Sequence, residues 1–303
     1  MTDLVIRALT TSDAHLFHAL QDASLVGRGA FGHRYAPVAE GGEYRPDWTW
    51  VALRDGTVVA RAAWWAAPDD TAPVALDWFD FADGEEEAGA ELLRRSPLRA
   101  EFSLLVPPGW REMPEVRAAA EARIDAARAA GMEVLVERYR YEWTPDCPLP
   151  ERPDRLTFRP EPDDAVILDV LRRCHSVTLD AHARRAIAGP GGLDAAAQAE
   201  LDIFHWFPSP REWWQLAFTP DGEVAGIHVP AHNPNGPCIG FIGVVPEARG
   251  HGYGYDLLVE CTRFLVERGA ESIAGATDRG NTPMAAAFAR AGHPVAQERI
   301  DLV

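Results

Sequence analysis

The chain has 303 residues, 47% of them hydrophobic and 25% charged, the composition of a folded globular protein long enough for two domains with a core each. Its 46 acidic against 29 basic side chains leave a net charge of −17, which repels a phosphate backbone or an anionic bilayer, so neither nucleic acid nor membrane is an expected partner. Lysine is absent, which excludes Schiff-base chemistry on a side-chain amine. Cys147, Cys174, Cys238 and Cys261 are too scattered for a zinc site, and no metal is expected. No basic leader precedes an apolar stretch and no 18-residue apolar run occurs, so the chain is read as cytoplasmic, a monomer or a homodimer.

In chain order, residues 4–7 predict a strand and a helix follows from about Ser12. Two strands come next, over 48–53 and 57–66, joined by a turn at Asp55-Gly56; that dipeptide between apolar runs is a hairpin signal. A strand over 74–81, a helical stretch, a strand over 101–106 and a helix over about 115–130 complete the series. On the last helix Val116, Ala120, Ile124 and Ala127 form one apolar stripe. A strand over 133–143 closes this half, and residues 144–155, with four prolines and no apolar period, read as an exposed connector.

The second half repeats the plan. Residues 156–159 predict a strand, a helix starts near Asp163, and strands over 213–218 and 223–230 flank a turn at Asp221-Gly222. A strand over 238–245, a helix bearing Leu257, Leu258, Cys261, Phe264 and Leu265 on one face, a strand over 272–276, a helix over 283–291 and a strand over 294–303 follow. Strands and helices alternate throughout, so the fold class is α/β (α+β), with domains over 1–143 and 156–303 and a linker over 144–155.

The two copies differ most after their third strand pair. In the second, Val244-Val-Pro246-Glu-Ala-Arg249-Gly250-His251-Gly252-Tyr253-Gly254 runs from strand into helix. The glycines let backbone approach a ligand closely, and the amides at the start of the helix favour an anion such as a pyrophosphate. No Lys-Ser/Thr pair follows, which removes the P-loop reading. In the first copy the same place reads Asp83-Gly84-Glu85-Glu86-Glu87, whose carboxylates would repel a phosphate.

Residues 244–254 resemble the acetyl-coenzyme A motif Gln/Arg-x-x-Gly-x-Gly/Ala of the Gcn5-related N-acetyltransferases (GNAT superfamily). The stretch from Asn281 to Gly292 is similar to that family's Asn-x-x-Ala-x-x-x-Tyr-x-x-x-Gly-Phe. The resemblance is close over about 213–303, rests on element order over 156–212, and reaches 1–143 through the internal repeat alone. It implies two tandem GNAT-like domains, each a mixed, mostly antiparallel sheet flanked by helices, the first degenerate and without coenzyme. It further implies acetyl transfer from acetyl-CoA to an amine of a small molecule in a ternary complex; a peptide or protein amine, or an inactive acyl-CoA-binding module, are the alternatives.

By that resemblance Ile242, Gly243 and Val244 line the pantetheine arm, and Arg249, Gly250, His251, Gly252, Tyr253, Gly254 and Tyr255 hold the pyrophosphate. Asn281 bonds the pantetheine or simply caps its helix, and Phe288 stands where the family often has the tyrosine that protonates the departing thiolate. Phenylalanine cannot donate that proton, which leaves Tyr255, or water, as the acid. The strand over 238–245 carries no carboxylate to serve as base. His228, on one face of its strand with Val224 and Gly226, is the candidate base or else a structural histidine, with His232, Asp278 and His205 behind it. Aromatic density at His205, Trp206 and Trp214 marks a candidate acceptor pocket, unless those rings only pack a core.

Overall fold

The computed structural model describes residues 4–20, 25–26 and 35–303. In chain order the strands and α-helices are β1 (Leu4–Ala8), β2 (Tyr44–Arg54), β3 (Thr57–Trp65), β4 (Ala75–Phe81), α1 (Glu86–Arg95), β5 (Glu101–Val106), α2 (Pro114–Ala129) and β6 (Val134–Trp143). The remainder are β7 (Thr157–Pro160), α3 (Asp164–His175), α4 (Ala181–Ala188), α5 (Gly192–Trp206), β8 (Gln215–Phe218), β9 (Val224–Asn233), β10 (Gly236–Val244), α6 (Tyr253–Val266), β11 (Ile273–Asp278), α7 (Thr282–Arg290) and β12 (Val295–Leu302). Where a helix was expected from Ser12, a 3-10 turn runs over Ala14–Ala19, and the rest of that expectation falls in part outside the described residues.

Two compact units result, Met1–Glu137 with Gln297–Val303, and Arg138–Ala296. These do not coincide with the halves 1–143 and 156–303, because most of the closing strand of each half belongs to the other unit, residues 138–143 to the second and 297–302 to the first. In the first unit β1, β2, β3 and β4 pair antiparallel in sequence, β4 pairs parallel with β5, and β12 lies antiparallel against β5 from Glu298↔Val106 to Leu302↔Phe102. In the second unit β7, β8, β9 and β10 pair antiparallel, β10 pairs parallel with β11, and β6 lies antiparallel against β11 from Arg138↔Asp278 to Trp143↔Ile273. The two sheets therefore share one plan: mixed, mostly antiparallel, with one parallel rung.

Local sequence accounts for the joints. Asp55 and Gly56 both take positive φ, at 50° and 79°, the turn whose twist matches the strands it joins. On α2 the apolar stripe falls inward, with Ala120 and Ala127 inaccessible and Ile124 nearly so, against Leu76, Phe79, Leu104, Ile300 and Leu302. The second unit's core gathers Ile167, Leu171, Phe204, Trp214, Leu216, Ile227, Val229 and Leu257 around its sheet.

Because Ile300 is 2% exposed and belongs to the first unit's core, Ile300→Ala should lower that unit's stability by about 2–4 kcal/mol. Urea denaturation measures the loss, and hydrogen exchange should show the β5 amides losing protection.

Candidate coenzyme site

The second unit's sheet opens where the motif lies. The parallel ladder between β10 and β11 is confined to Cys238↔Ala274, so beyond it the edge of β10 that faces β11 is left without a partner strand. On its other edge β10 carries a bulge: Ile239 pairs with Pro230 and Phe241 with Val229, leaving Gly240 as the extra residue. A side chain at Gly240 would meet the Val229 carbonyl oxygen at 2.8 Å, so only glycine fits this bulge.

From β10 the chain passes through a 3-10 turn at Pro246–Ala248 into α6. Gly250 and Gly252 have φ of 86° and 77°, and Gly252 occupies the N-cap; a side chain in this backbone region is strained. Leu257, Leu258, Val259, Cys261 and Leu265 are buried and fix the helix. The loop is clamped from the connector: Arg155 donates to the His251 carbonyl at 2.8 Å and pairs with buried Asp256 at 2.6 Å.

A cavity of about 490 Å³ lies against this loop, lined by Ile242, Val244, Arg249, Gly250, Gly252, Tyr253, Gly254, Tyr255 and Asn281, together with Leu179, Ala248 and the α7 side chains Pro283, Met284, Ala286, Ala287 and Arg290. Nine of the residues expected from the motif thus share one cavity. Gly243 and His251 do not line it: a side chain at Gly243 would run into Cys174 and Phe241, and the His251 ring stacks on Tyr253. Arg249, expected to help hold the pyrophosphate, lines the cavity with part of its guanidinium engaged, donating to the carbonyls of Val177 and Val244 at 2.7 and 3.3 Å. Asn281 does both things open to it: its side chain caps α7 by accepting from the Met284 amide, and the residue lines the cavity.

The sequence reading missed Arg290, whose guanidinium lies 3.8 Å above the Tyr255 ring. Its spacing of seven from Pro283, two turns along α7, is the signal that could have found it. In a chain of net charge −17 this cavity presents two arginines and no carboxylate. With the amides opening α6, that is an environment for a polyanion next to an apolar channel made by Ile242, Val244, Met284 and Ala287.

Other expected residues lie elsewhere. Phe288 is 1% exposed and stacks on Tyr141 of β6 at 4.0 Å, in the core and outside the cavity. His228 is fully buried between Phe158 and Phe264, its Nε2 3.1 Å from Gln215 Oε1, and burial pushes its pKa down to about 3. His228 is thus sealed from solvent and lies outside the cavity at the motif loop, a core position. His232 stands against Trp213.

His205 and Trp214 line a separate cavity of about 660 Å³ with Asp163, Asp164, Phe204 and Arg211, where Asp164 pairs with both His205 and Arg211. Trp206 is 59% exposed and does not line it. This cavity sits at the N-terminal end of α3, whereas Arg249 grips the backbone just beyond the C-terminal end of that 12-residue helix, about 17 Å away along its axis. The aromatic cluster is thus remote from the motif loop.

The first unit's equivalent loop is closed by its own side chains. After β4, Gly84 turns the chain at φ 77°, and Glu85 is held by Arg54 through two bonds of 2.9 and 2.7 Å. Glu86 and Glu87 then occupy the first turn of α1, where the helix dipole favours negative charge.

The comparisons with known proteins agree with this geometry. Residues 182–293, which lie within the second unit, match the model of the acetyltransferase (GNAT) family. A mycothiol acetyltransferase of Arthrobacter sp. (strain FB24) is 29% identical over 185 residues, 57% of this chain and 54% of that protein. One from Pseudarthrobacter chlorophenolicus is 30% identical over 188 residues, with the same coverage. The chain thus spans about half the length of these relatives. A crystal structure of a GCN5-related N-acetyltransferase from Sphaerobacter thermophilus matches 99% of this chain and 94% of that one at a TM-score of 0.56 and 17% identity, which shows that the fold extends over both units. No helix among the described residues is long and apolar enough to cross a membrane.

The His228 assignment has a thermodynamic consequence. An imidazole whose proton affinity is lowered by folding takes up its proton on unfolding, so its contribution is present above the unfolded value near 6.5 and is lost as pH falls towards 3. Between pH 7 and pH 4.5, His228→Gln should lose about 2–3 kcal/mol less stability than the parent, measured by urea denaturation at the two pH values.

Proposed function

We propose that the protein is an acetyl-CoA-dependent N-acetyltransferase that acetylates an amine of a small molecule by direct transfer, with one working coenzyme site, in the second unit. The observation that carries this is the carboxylate-free cavity at the glycine-rich start of α6, with Arg249 and Arg290 on its walls. The residues fit the group: amides and arginines suit the pyrophosphate, and Ile242, Val244, Met284 and Ala287 suit the pantetheine arm. The name shared by the curated relatives, mycothiol acetyltransferase, supports a small-molecule acceptor.

On this reading the unpaired edge of β10 offers its amides to the thioester carbonyl, raising its electrophilicity and stabilising charge as the amine adds. Tyr255, which lines the cavity, is the candidate acid for the departing thiolate. The first unit, its loop filled by Glu85, Glu86 and Glu87, binds no coenzyme.

Calorimetric titration with acetyl-CoA is expected to give one site per chain. Gly252→Asp combined with Arg249→Ala should abolish that binding, because the aspartate strains a positive-φ position and brings a carboxylate to the pyrophosphate; Arg290→Ala should weaken it without affecting the fold. Thiol release that depends on an added amine completes the test. Two sites per chain would contradict the role given to the first unit, and no binding would overturn the reading as a whole.

A further inference from the structure

A second group of side chains lies behind the motif strand and is used by nothing described above. Glu200 of α5 points at the C-terminal end of α3, its Oε2 3.8 Å from Nε2 of His175. The His175 side chain is 4% exposed, yet that nitrogen has no hydrogen-bond partner. Asp180, the N-cap of α4, lies 3.3 Å from Arg138 of β6, and the same guanidinium lies 3.2 Å from Asp278 at the end of β11. Asp278 is 2% exposed; one of its oxygens accepts from the Ala181 amide at 2.7 Å, while the other meets Arg138 outside hydrogen-bonding geometry. Two carboxylates thus share one guanidinium, which also meets Nδ1 of His182 at 3.5 Å.

Withdrawing carboxylates from water without matching cations is costly; Asp278 is buried, while Glu200 and Asp180 are partly exposed. Burial and the nearby Asp180 push the Glu200 carboxyl up to about 7, with Arg138 pulling the other way. Asp278 is raised by burial and by Asp180, while burial lowers His175, which is neutral at pH 7. Arg138 and His182 are the basic side chains of this group, and Nε2 of His175, which has no partner, can accept an N–H from a further cation.

The location is equally specific. Leu179 lines the coenzyme cavity and Asp180 follows it; Asn281 lines the cavity and its amide donates to the Asp278 carbonyl at 2.9 Å. The His175 ring meets Phe241 edge-on at 6.1 Å, and the next residue of β10, Ile242, lines the cavity. The cluster therefore adjoins the opened stretch of β10.

We infer that Glu200, His175, Asp180 and Asp278 seat the ammonium group of the acceptor, and that Glu200 is the base that deprotonates it. This rests on the acetyltransferase reading above. Glu200 takes one proton from R–NH₃⁺, leaving R–NH₂ and a neutral carboxyl. The nitrogen lone pair forms the C–N bond at the thioester carbonyl, and the C–S bond breaks with its electron pair on sulfur. The second proton shed by nitrogen ends on the thiolate, and Glu200 returns the first to solvent: one acetyl thioester and one ammonium ion give one acetamide, one thiol and one proton. The acceptor class is a primary alkylammonium; an alcohol of the same shape leaves the carboxylates unmatched.

The test uses the full chain with acetyl-CoA and tyramine, glucosamine or spermidine, with tyrosol as the hydroxyl control, followed by thiol release from about pH 6 to about pH 9. Turnover of an amine should rise with pH through about 7 and then level off. The groups facing Glu200 are His175 from α3, Asp180 from the turn before α4 and Arg138 from β6. E200Q should lower kcat/KM for the amine by about 100-fold or more and flatten that limb, with acetyl-CoA affinity unchanged; H175Q should fall between the two. E200Q should also raise the thermal midpoint at pH 8, since it removes a charge the fold disfavours, which separates loss of a base from loss of fold. An E200Q enzyme with nearly full activity and the parent pH limb overturns the inference. If no amine elicits thiol release from wild type, the acetyltransferase reading fails, and the seat is judged separately: tyramine must raise the thermal midpoint of wild type and not of E200Q or D180N, and equal or absent shifts overturn it.

Discussion

The second unit depends on one constraint, a parallel strand pair held together at a single rung. Cys238 faces Ala274 in the ladder, and beyond that point β10 and β11 take separate courses. The separation is built in from both sides of β10. The bulge at Gly240 shifts its register against β9, and bulges bend the strand that carries them. On the other side, β11 is occupied by β6 along its whole length, from Ile273↔Trp143 to Asp278↔Arg138. The cavity, the freed edge of β10 and the approach to the His175–Glu200 pair all follow from that geometry.

Charge then separates the two surfaces of the opened strand. The residues lining the coenzyme cavity include Arg249 and Arg290 and no acid, whereas the group reached through Asp180 and Asp278 gathers three carboxylates, with Arg138 and His182 as its basic side chains. A polyanionic donor and a cationic acceptor would each meet the side that suits it, and each would be repelled by the other. The net charge of −17 conceals this, because it sums a surface coat with two small regions of opposite character.

Much of this was legible in the sequence because it is local. The Asp55-Gly56 turn, the Ala120–Ile124–Ala127 stripe and the Gly250–Gly252 loop are each specified by neighbours in the chain, and each is found where it was expected. The closing strands were not, since an alternating pattern tells a strand which face is apolar and says nothing of which strand it will join. Residues 133–143 read as the closing strand of the first half, yet 138–143 complete the second unit's sheet. The same limit explains His228: alternation put it on a face of β9, but only tertiary packing against Phe158 and Phe264 decides that this face is sealed. Arg290, Glu200 and His175 escaped notice because their roles come from helices packed side by side, across distances in sequence that no motif spans.

The Glu200 environment also shows why such a group would persist. An isosteric amide at that position would spare the fold a partly desolvated charge, so stability alone gives no reason to keep a carboxylate there. Nor does packing, since glutamine has nearly the same shape. The unpartnered His175 nitrogen points the same way: a donor from a neighbouring side chain would satisfy it, and the structure brings only an acid. The unpartnered nitrogen and the carboxylate that face each other at 3.8 Å are both satisfied by a single ligand, a cation that donates hydrogen bonds to both. Strain of this kind concentrates where a protein binds its substrate, because the ligand's arrival is what removes it.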